Sequence, residues 1–470
     1  MALRYISTRG GVQATGFEEV LFTGLAADGG LYVPETWPRL DRDHLASLQN
    51  ASYQDVANVV LRPFVGDALK PEDLERLIEV AYRSFSHQAI APVKQLAAGE
   101  WVMELFHGPT LAFKDVALQL LGLLFEYFLE RRDGTITIVG ATSGDTGSAA
   151  IATTAGRAHM RTVILHPKGR VSDVQRRQMT TVEAANIHNI AIEGSFDDCQ
   201  ALVKAMFNDQ GFRQRQNLSA INSINWGRIM AQIVYFVTAS LALGGPWRKM
   251  SFSVPSGNFG DVYAGYVAAK MGLPIEQLIV ATNRNDILAR FFDTGAYSAG
   301  EVEPTISPSM DIQVASNFER LLFDLCDRDG ERVVELMATF AEAKSFKVAD
   351  DQLGQARELF VAHRVDEAET SAMINRMHDT TGEVFDPHTA VGLVAAEAYR
   401  SHGAGAETPV ITLATAHPAK FPDAVAQATG FRPALPCHLQ DLMTKPERLT
   451  VLPNDLAAVE AHIDQLPMAN

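Results

Sequence analysis

One lysine stands at the mouth of a long apolar run. The stretch Phe106-His107-Gly108-Pro109-Thr110-Leu111-Ala112-Phe113-Lys114-Asp115 leads into Val116 to Leu129, which reads as a buried helix. The Gly108-Pro109 pair punctuates the chain ahead of it, so Lys114 falls in the first turn or just before it. The positive end of the helix dipole opposes a cation there. Partial desolvation adds to that, and together they favour the free amine that attacks carbonyls. Taken alone, the lysine reads as a surface side chain whose stem lies along the apolar face.

Two glycine-rich turns change that reading. Ser143-Gly144-Asp145-Thr146-Gly147 follows the β-branched run Thr135–Val139 and opens an Ala-rich helix through Ala155. Ser256-Gly257-Asn258-Phe259-Gly260 follows Ser251–Val254 and opens a helix from Asp261 to Met271. Each turn aims backbone N–H groups, backed by a helix dipole, at whatever lies beyond the strand end. A single turn of this kind is often only a tight connection. Two of them, with a lysine at a third helix mouth, suit a ligand with more than one anionic group and a carbonyl. Pyridoxal phosphate with an amino-acid substrate fits that description.

The elements that must position these residues alternate in type. After the helix at 116–131 come strands at 135–139, Thr162–Leu165 and Ile187–Ile192, with helices at Asp173–Glu183, Phe196–Asp209 and Ser223–Leu243. Strands near 251–254, Leu278–Thr282 and Pro409–Ala414 and a helix at His388–Tyr399 continue the pattern, which implies parallel βαβ units. The segment from Asn317 to about Thr381 reads as almost wholly helical, an inserted or appended unit. Residues 1–95 mix short strands, turns and helices, with amphipathic helices near Tyr53–Val65 and Pro71–Ser84. Ser7, Thr8 and Arg9 could reach a neighbouring site, although Arg9 by itself reads as a solvated charge. The expected division is 1–95, an α/β core of 96–316 and 382–435 in two subdomains, a helical insertion at 317–381 and a C-terminal segment at 436–470. A short Gly/Ala turn is expected at Gly403–Ala406.

Composition bounds the function. The 470 residues are 47% hydrophobic and 20% charged, enough apolar matter for sizeable cores. A net charge of −16 without a Lys/Arg block argues against nucleic-acid or anionic-membrane partners. It leaves room for a small anionic substrate at local helix ends. Cys199, Cys326 and Cys437 are too dispersed for a disulfide framework or a metal cluster and read as reduced thiols. His159, His166 and His188 have no ligand spacing with carboxylates or cysteines, so no metal is expected. The first residues lack a signal-peptide core, and the longest apolar stretch, Ile229 to Leu243, carries Gln232, Thr238 and Ser240. A cytoplasmic protein is the expectation.

The strings His107 to Asp115, Ala141 to Gly147, Ser256 to Gly260 and Ala414-Thr415-Ala416-His417-Pro418-Ala419-Lys420-Phe421 resemble, in the same order, the motifs of the threonine synthase family. Ser7-Thr8-Arg9-Gly10 and Asp28-Gly29-Gly30-Leu31-Tyr32-Val33-Pro34 resemble the N-terminal domain of its longer bacterial and fungal branch. The resemblance covers nearly the whole chain. It implies the tryptophan-synthase-β-like fold, type II of the pyridoxal-phosphate enzymes: two open, mostly parallel α/β domains, an N-terminal α+β domain and a helical insertion.

The resemblance also implies roles. Lys114 would hold the cofactor as a Schiff base and shuttle protons. Gly257, Asn258, Phe259 and Gly260 would cradle its phosphate, and Thr415 would face the pyridine nitrogen. Ser143, Gly144, Asp145 and Thr146 would bind the substrate α-carboxylate, although a carboxylate at Asp145 needs a partner or a proton. The implied reaction is O-phospho-L-homoserine and water to L-threonine and phosphate. For the substrate phosphate, Asn225 and Arg228 at the start of the long helix are the candidates. An Asn cap and a surface arginine are an equal reading of the same residues. His417 and Lys420 are weaker candidates, and His107 would orient the lysine loop. A phospholyase or a serine/threonine dehydratase shares the lysine and phosphate loop but ends in a 2-oxo acid. A nucleotide-binding oxidoreductase is disfavoured, because no Gly-x-Gly-x-x-Gly with a downstream acid stands in the first βαβ unit. A non-catalytic scaffold would be expected to lose Lys114 or the glycine loop. Monomer and homodimer are both open.

Overall fold

The computed structural model describes residues 3–401 and 407–467; the turn expected at Gly403–Ala406 lies outside them. The chain forms two compact units, 1–107 with 223–433 and 108–222 with 434–470.

In the first unit, six strands lie in the order Phe360–Arg364, Ile275–Thr282, Met250–Pro255, Val410–Ala414, Glu100–Glu104, Val93–Ala97. All neighbours are parallel except the last pair, an antiparallel hairpin. Met250–Pro255 is buried at every position, the continuous apolar reading of a strand covered on both faces. Ile279, Ala281 and Val410 pack on Val391 and Ala395 of the helix Pro387–Ser401. Met250–Pro255 and Val410–Ala414 are neighbours and run the same way. The turn 256–260 and residue Thr415 therefore leave the sheet side by side at its carboxyl edge, where open α/β sheets bind ligands.

In the second unit, five parallel strands lie in the order Thr450–Pro453, Ile187–Glu193, Met160–Pro167, Ile136–Ala141, Leu218–Ser219. Val163 and Leu165 pack on one face with Cys199 and Met206. Ile164 packs on the other with Ile151 and Met179, as the two-residue period of a strand requires. The helix Lys114–Arg132 has 15 of its 19 residues buried. A helix apolar all round has no solvent face to offer, and here it is an interior element. Its C-terminal turn carries Arg131 and Arg132, favourable against the negative end of the dipole, and ends at Asp133 in the left-handed region.

Two expectations are corrected. The segment 317–381 is not helical throughout: Ser345–Lys347 and Phe360–Arg364 are strands, and the latter is the edge of the six-stranded sheet. A five-residue edge strand between strong helices leaves little periodic signal. The boundary at 95/96 cuts the hairpin Val93–Ala97/Glu100–Glu104, which is one supersecondary unit. Within the C-terminal segment 436–470, Thr450–Pro453 extends the five-stranded sheet and Val459 and Ile463 enter its core. No described helix is long and apolar enough to cross a membrane.

Candidate active site

In the unit formed by 108–222 and 434–470, Lys114 is the first residue of its helix, and its Phe113 cap supplies no side-chain acceptor. The loop before it is pinned by Asp115, which is fully buried and accepts from the Thr110 amide at 2.7 Å and the Thr110 hydroxyl at 2.7 Å. A Cβ on Gly108 would collide with that carboxylate, so glycine is required there for space. The Thr110 carbonyl accepts from Gln178 Nε2 at 3.1 Å.

Lys114 is buried, and its Nζ lies 3.3 Å from Asp145 Oδ2. The dipole disfavours a cation at this end by about 0.3–1 kcal/mol. The buried ion pair outweighs the dipole, since removing one partner of such a pair costs about 3–5 kcal/mol. Asp145 Oδ1 accepts from Gln175 Nε2 at 2.9 Å, and Gln175 Oε1 accepts from Ser172 Oγ at 2.9 Å. Asp145 is thus supplied with the partner that its position demanded. Both its oxygens are engaged, so it can serve an anionic ligand through the helix end rather than through its carboxylate.

Asp145 also opens the helix Asp145–Thr154, whose Gly144 cap donates no side chain. Thr142 Oγ1 accepts from the amides of Gly144 at 3.0 Å and Gly147 at 2.9 Å. The amides of Ser143 and Thr146 meet no protein acceptor among the described residues. Gly144 has φ +146°, and a Cβ there would run into Gln175.

In the other unit, the turn 256–260 opens the helix Gly260–Met271, again with no side-chain cap. The amides of Gly257, Asn258, Phe259 and Gly260 meet no protein acceptor among the described residues. Phe259 is left-handed at φ 61°, a conformation that costs a non-glycine residue about 1–2 kcal/mol. It is held by rings of Phe318 at 5.7 Å and Phe360 at 5.8 Å, and by two bonds from Asn317 to the preceding carbonyl. A Cβ on Gly257 would lie 2.8 Å from the Ser309 carbonyl oxygen. Thr415 is buried, and its hydroxyl has no hydrogen-bond partner among the described residues.

A family model for the threonine synthase N terminus matches residues 4–82, and one for its C-terminal part matches 389–463. A model for pyridoxal-phosphate dependent enzymes matches 88–346 between them. The chain is 53% identical to threonine synthase of Pseudomonas aeruginosa, with 98% of each chain covered. The chain belongs to the threonine synthase family. Among solved structures, pyridoxal-phosphate-bound threonine synthase of Brucella melitensis is 50% identical with a TM-score of 0.95, covering 98% of both chains. The yeast threonine synthase is 40% identical, also at 0.95, over 99% of this chain and 98% of that one. The family depends on pyridoxal phosphate, and the residues fit that group. One unit carries a buried lysine at a helix start; the other carries four amides at a helix mouth without a protein acceptor among the described residues, and a buried threonine at a neighbouring strand end.

Arg228 is buried two residues into the helix Trp226–Ala242 and has no ion-pair partner among the described residues. Burial pushes its pKa down to about 10, against the opposing pull of Tyr235 and Asp261. Asp261 is buried beside it in the charge field. Burial pushes its pKa up to about 7, although a bond from the Tyr235 hydroxyl and the charge of Arg228 pull it down. Asn225, expected at the substrate phosphate, is instead a structural cap. Its Oδ1 accepts from the Gly227 amide at 2.9 Å, and its Nδ2 donates to the Leu21 carbonyl at 2.7 Å. One helix start thus holds a committed polar group, Asn225, and, three residues on, a buried cation with no ion-pair partner among the described residues.

The remaining candidates sit in structural contacts. Ser7 donates to Asp28 at 2.8 Å, and Thr8 and Arg9 bind Glu319 at 2.6 and 2.9 Å. His107 lies 2.8 Å from Glu104, and His417 Nδ1 accepts from the Ala419 amide at 3.1 Å. Lys420 is fully buried. Sequence reasoning missed Gln175, Gln178, Asn317 and Arg320. Each also has a partner at least 30 positions away in sequence: Asp145, the Thr110 carbonyl, the Asn258 carbonyl and the Tyr32 carbonyl respectively.

Proposed function

We propose that this protein converts O-phospho-L-homoserine and water to L-threonine and phosphate. The observation that carries the reading is the buried Lys114, held between the Asp115-pinned loop and the Asp145–Gln175 pair. Lys114 would hold pyridoxal phosphate covalently, Gly257 to Gly260 would take its phosphate, and Thr415 would meet its pyridine nitrogen. A hydroxyl donor or acceptor leaves that nitrogen uncharged, unlike a carboxylate. When bound, the cofactor supplies an electron sink for carbanion formation on the substrate.

The chain's own residues do the rest. Ser143 and Thr146 amides, at the positive end of their helix and beside Gly144, would take the α-carboxylate. Lys114, released by substrate, would move protons at Cα and Cβ and leave Asp145 to orient its amine. Arg228 would grip the γ-phosphate until the Cγ–O bond breaks. A proton then ends on Cγ, and water adds its oxygen at Cβ. The same reading makes the protein a cytoplasmic monomer or homodimer without nucleic-acid or membrane partners, in keeping with its net charge of −16.

A product assay tests it. Equal phosphate and threonine from O-phospho-L-homoserine is the expected result. Phosphate with 2-oxobutyrate would make the protein a phospholyase. Lys114→Ala is expected to reduce turnover by more than about a thousandfold and to abolish the covalent cofactor link. Retained activity would overturn the assignment.

A further inference from the structure

Arg320 is the largest charged side chain with no exposure, and it has no carboxylate partner among the described residues. Its Nε donates to the Tyr32 carbonyl at 2.9 Å, one Nη to the Ile224 carbonyl at 2.6 Å, and the other Nη to Asn317 Oδ1. Glu319 next to it is committed to Thr8 and Arg9. A buried guanidinium solvated only by neutral oxygens is costly, because burial opposes its charge. Such a group calls for a role beyond packing.

Its bond to Asn317 fixes which way that amide points. With Oδ1 held by the guanidinium, Nδ2 faces away and donates to the carbonyls of Asn258 at 3.0 Å and Ser223 at 3.1 Å. The Asn317 backbone amide also donates to the Asn258 carbonyl at 3.1 Å. In a trans peptide the C=O and the following N–H point in opposite directions. Two donors on the Asn258 carbonyl therefore turn the Phe259 N–H outward, toward the mouth of its helix. The left-handed φ of Phe259 is what lets that amide join those of Gly257, Asn258 and Gly260 in one concave donor set.

We propose that Arg320 is a positioning residue that, through Asn317, aims the Phe259 amide and so sets the affinity of the turn 256–260 for a phosphate monoester. This rests on reading that turn as the cofactor-phosphate cradle. Because the same guanidinium holds Ile224, it also ties the cradle to the start of the Arg228 helix.

The test compares pyridoxal phosphate with pyridoxal, which lacks only the phosphate, by titrating each into the protein and following bound-cofactor absorbance. Two variants are used. Arg320→Gln removes the charge and the fixed fork. Asn317→Asp keeps an oxygen for Arg320 but removes the Nδ2 donor, so it remains informative if Arg320→Gln fails to fold. Each is expected to reduce the preference for pyridoxal phosphate over pyridoxal by about tenfold or more, with pyridoxal affinity nearly unchanged. Equal weakening of both ligands, or an unchanged preference, would overturn the proposal, since a merely structural role would not single out the phosphate. Gly257→Ala separates the two levels of the argument. If it lowers the preference while Asn317→Asp does not, the cradle stands and the role of Arg320 falls. If neither lowers it, the cradle itself falls and the proposal with it.

Discussion

The turns 142–147 and 256–260 are built on one plan, a parallel strand running into a glycine turn and an uncapped helix, yet their surroundings differ in charge. The first braces itself: Thr142 Oγ1 closes the turn from within, and Asp145 sets a carboxylate beside the amine of Lys114. Its charges are balanced, in keeping with the proposed α-carboxylate site. The second is braced from outside by Asn317 and Ser316. Two buried cations of its unit, Arg228 and Arg320, have no ion-pair partner among the described residues. That charge pattern supports the proposed phosphate site, where a dianion must outweigh the cost of desolvation. The plan is shared, and the surrounding charges distinguish the two turns.

The largest break in this contrast would come at Arg228. Arg228→Met is expected to raise KM for O-phospho-L-homoserine by about a hundredfold, because a charged hydrogen-bonding pair is worth several times a neutral one. Affinity for pyridoxal phosphate should hold. Titration of cofactor and steady-state kinetics on one preparation check both. Loss of cofactor with KM unchanged would move Arg228 from substrate to cradle.

A smaller effect is expected on the balanced side. Gln175→Ala removes one donor from Asp145 and frees the carboxylate that orients Lys114. We expect kcat to fall by about tenfold with little change in cofactor affinity, about the effect of one hydrogen bond to a charged group. Gln175→Glu should be worse than Gln175→Ala, since it sets a second carboxylate against Asp145. If the two variants were equal in kcat, the pair would be packing only.

The smallest effect concerns stability. Asp261 has its pKa raised from 3.8 to about 7 by burial, so the folded state holds a proton that the unfolded chain has released. Stability is therefore greatest below the unfolded value and falls as pH rises toward about 7. Asp261→Asn keeps the acceptor for Tyr235 and removes the titration. Thermal unfolding across that window should show a declining Tm for the parent protein and a flatter one for the variant. Parallel curves would mean that Asp261 ionises normally in the fold.

Much of this site was legible in the chain. The lysine motif, both glycine turns and the strand before Thr415 stand in short contiguous strings, and local steric rules read them directly. The strand Phe360–Arg364 was not legible, because an edge strand of five residues is decided by the neighbour that it pairs with. Asn225 and Arg228 show the limit most sharply. They stand three apart at one helix start, with the same two readings open to each. The cap of Asn225 on the Gly227 amide is local, but only the Leu21 carbonyl, 204 positions away in sequence, commits the other end of its side chain.

By itself, then, the sequence determined a lysine at a helix mouth, the two glycine turns and the alternating α/β grammar that carries them. These follow from backbone conformation and periodicity within a few residues. Tertiary structure alone decided the charge around each turn: Asp145 and Gln175 at Lys114, Asn317 and Arg320 at Asn258. Burial makes those contacts strong by removing water. Which groups are buried together is a property of the folded chain, not of any segment of it.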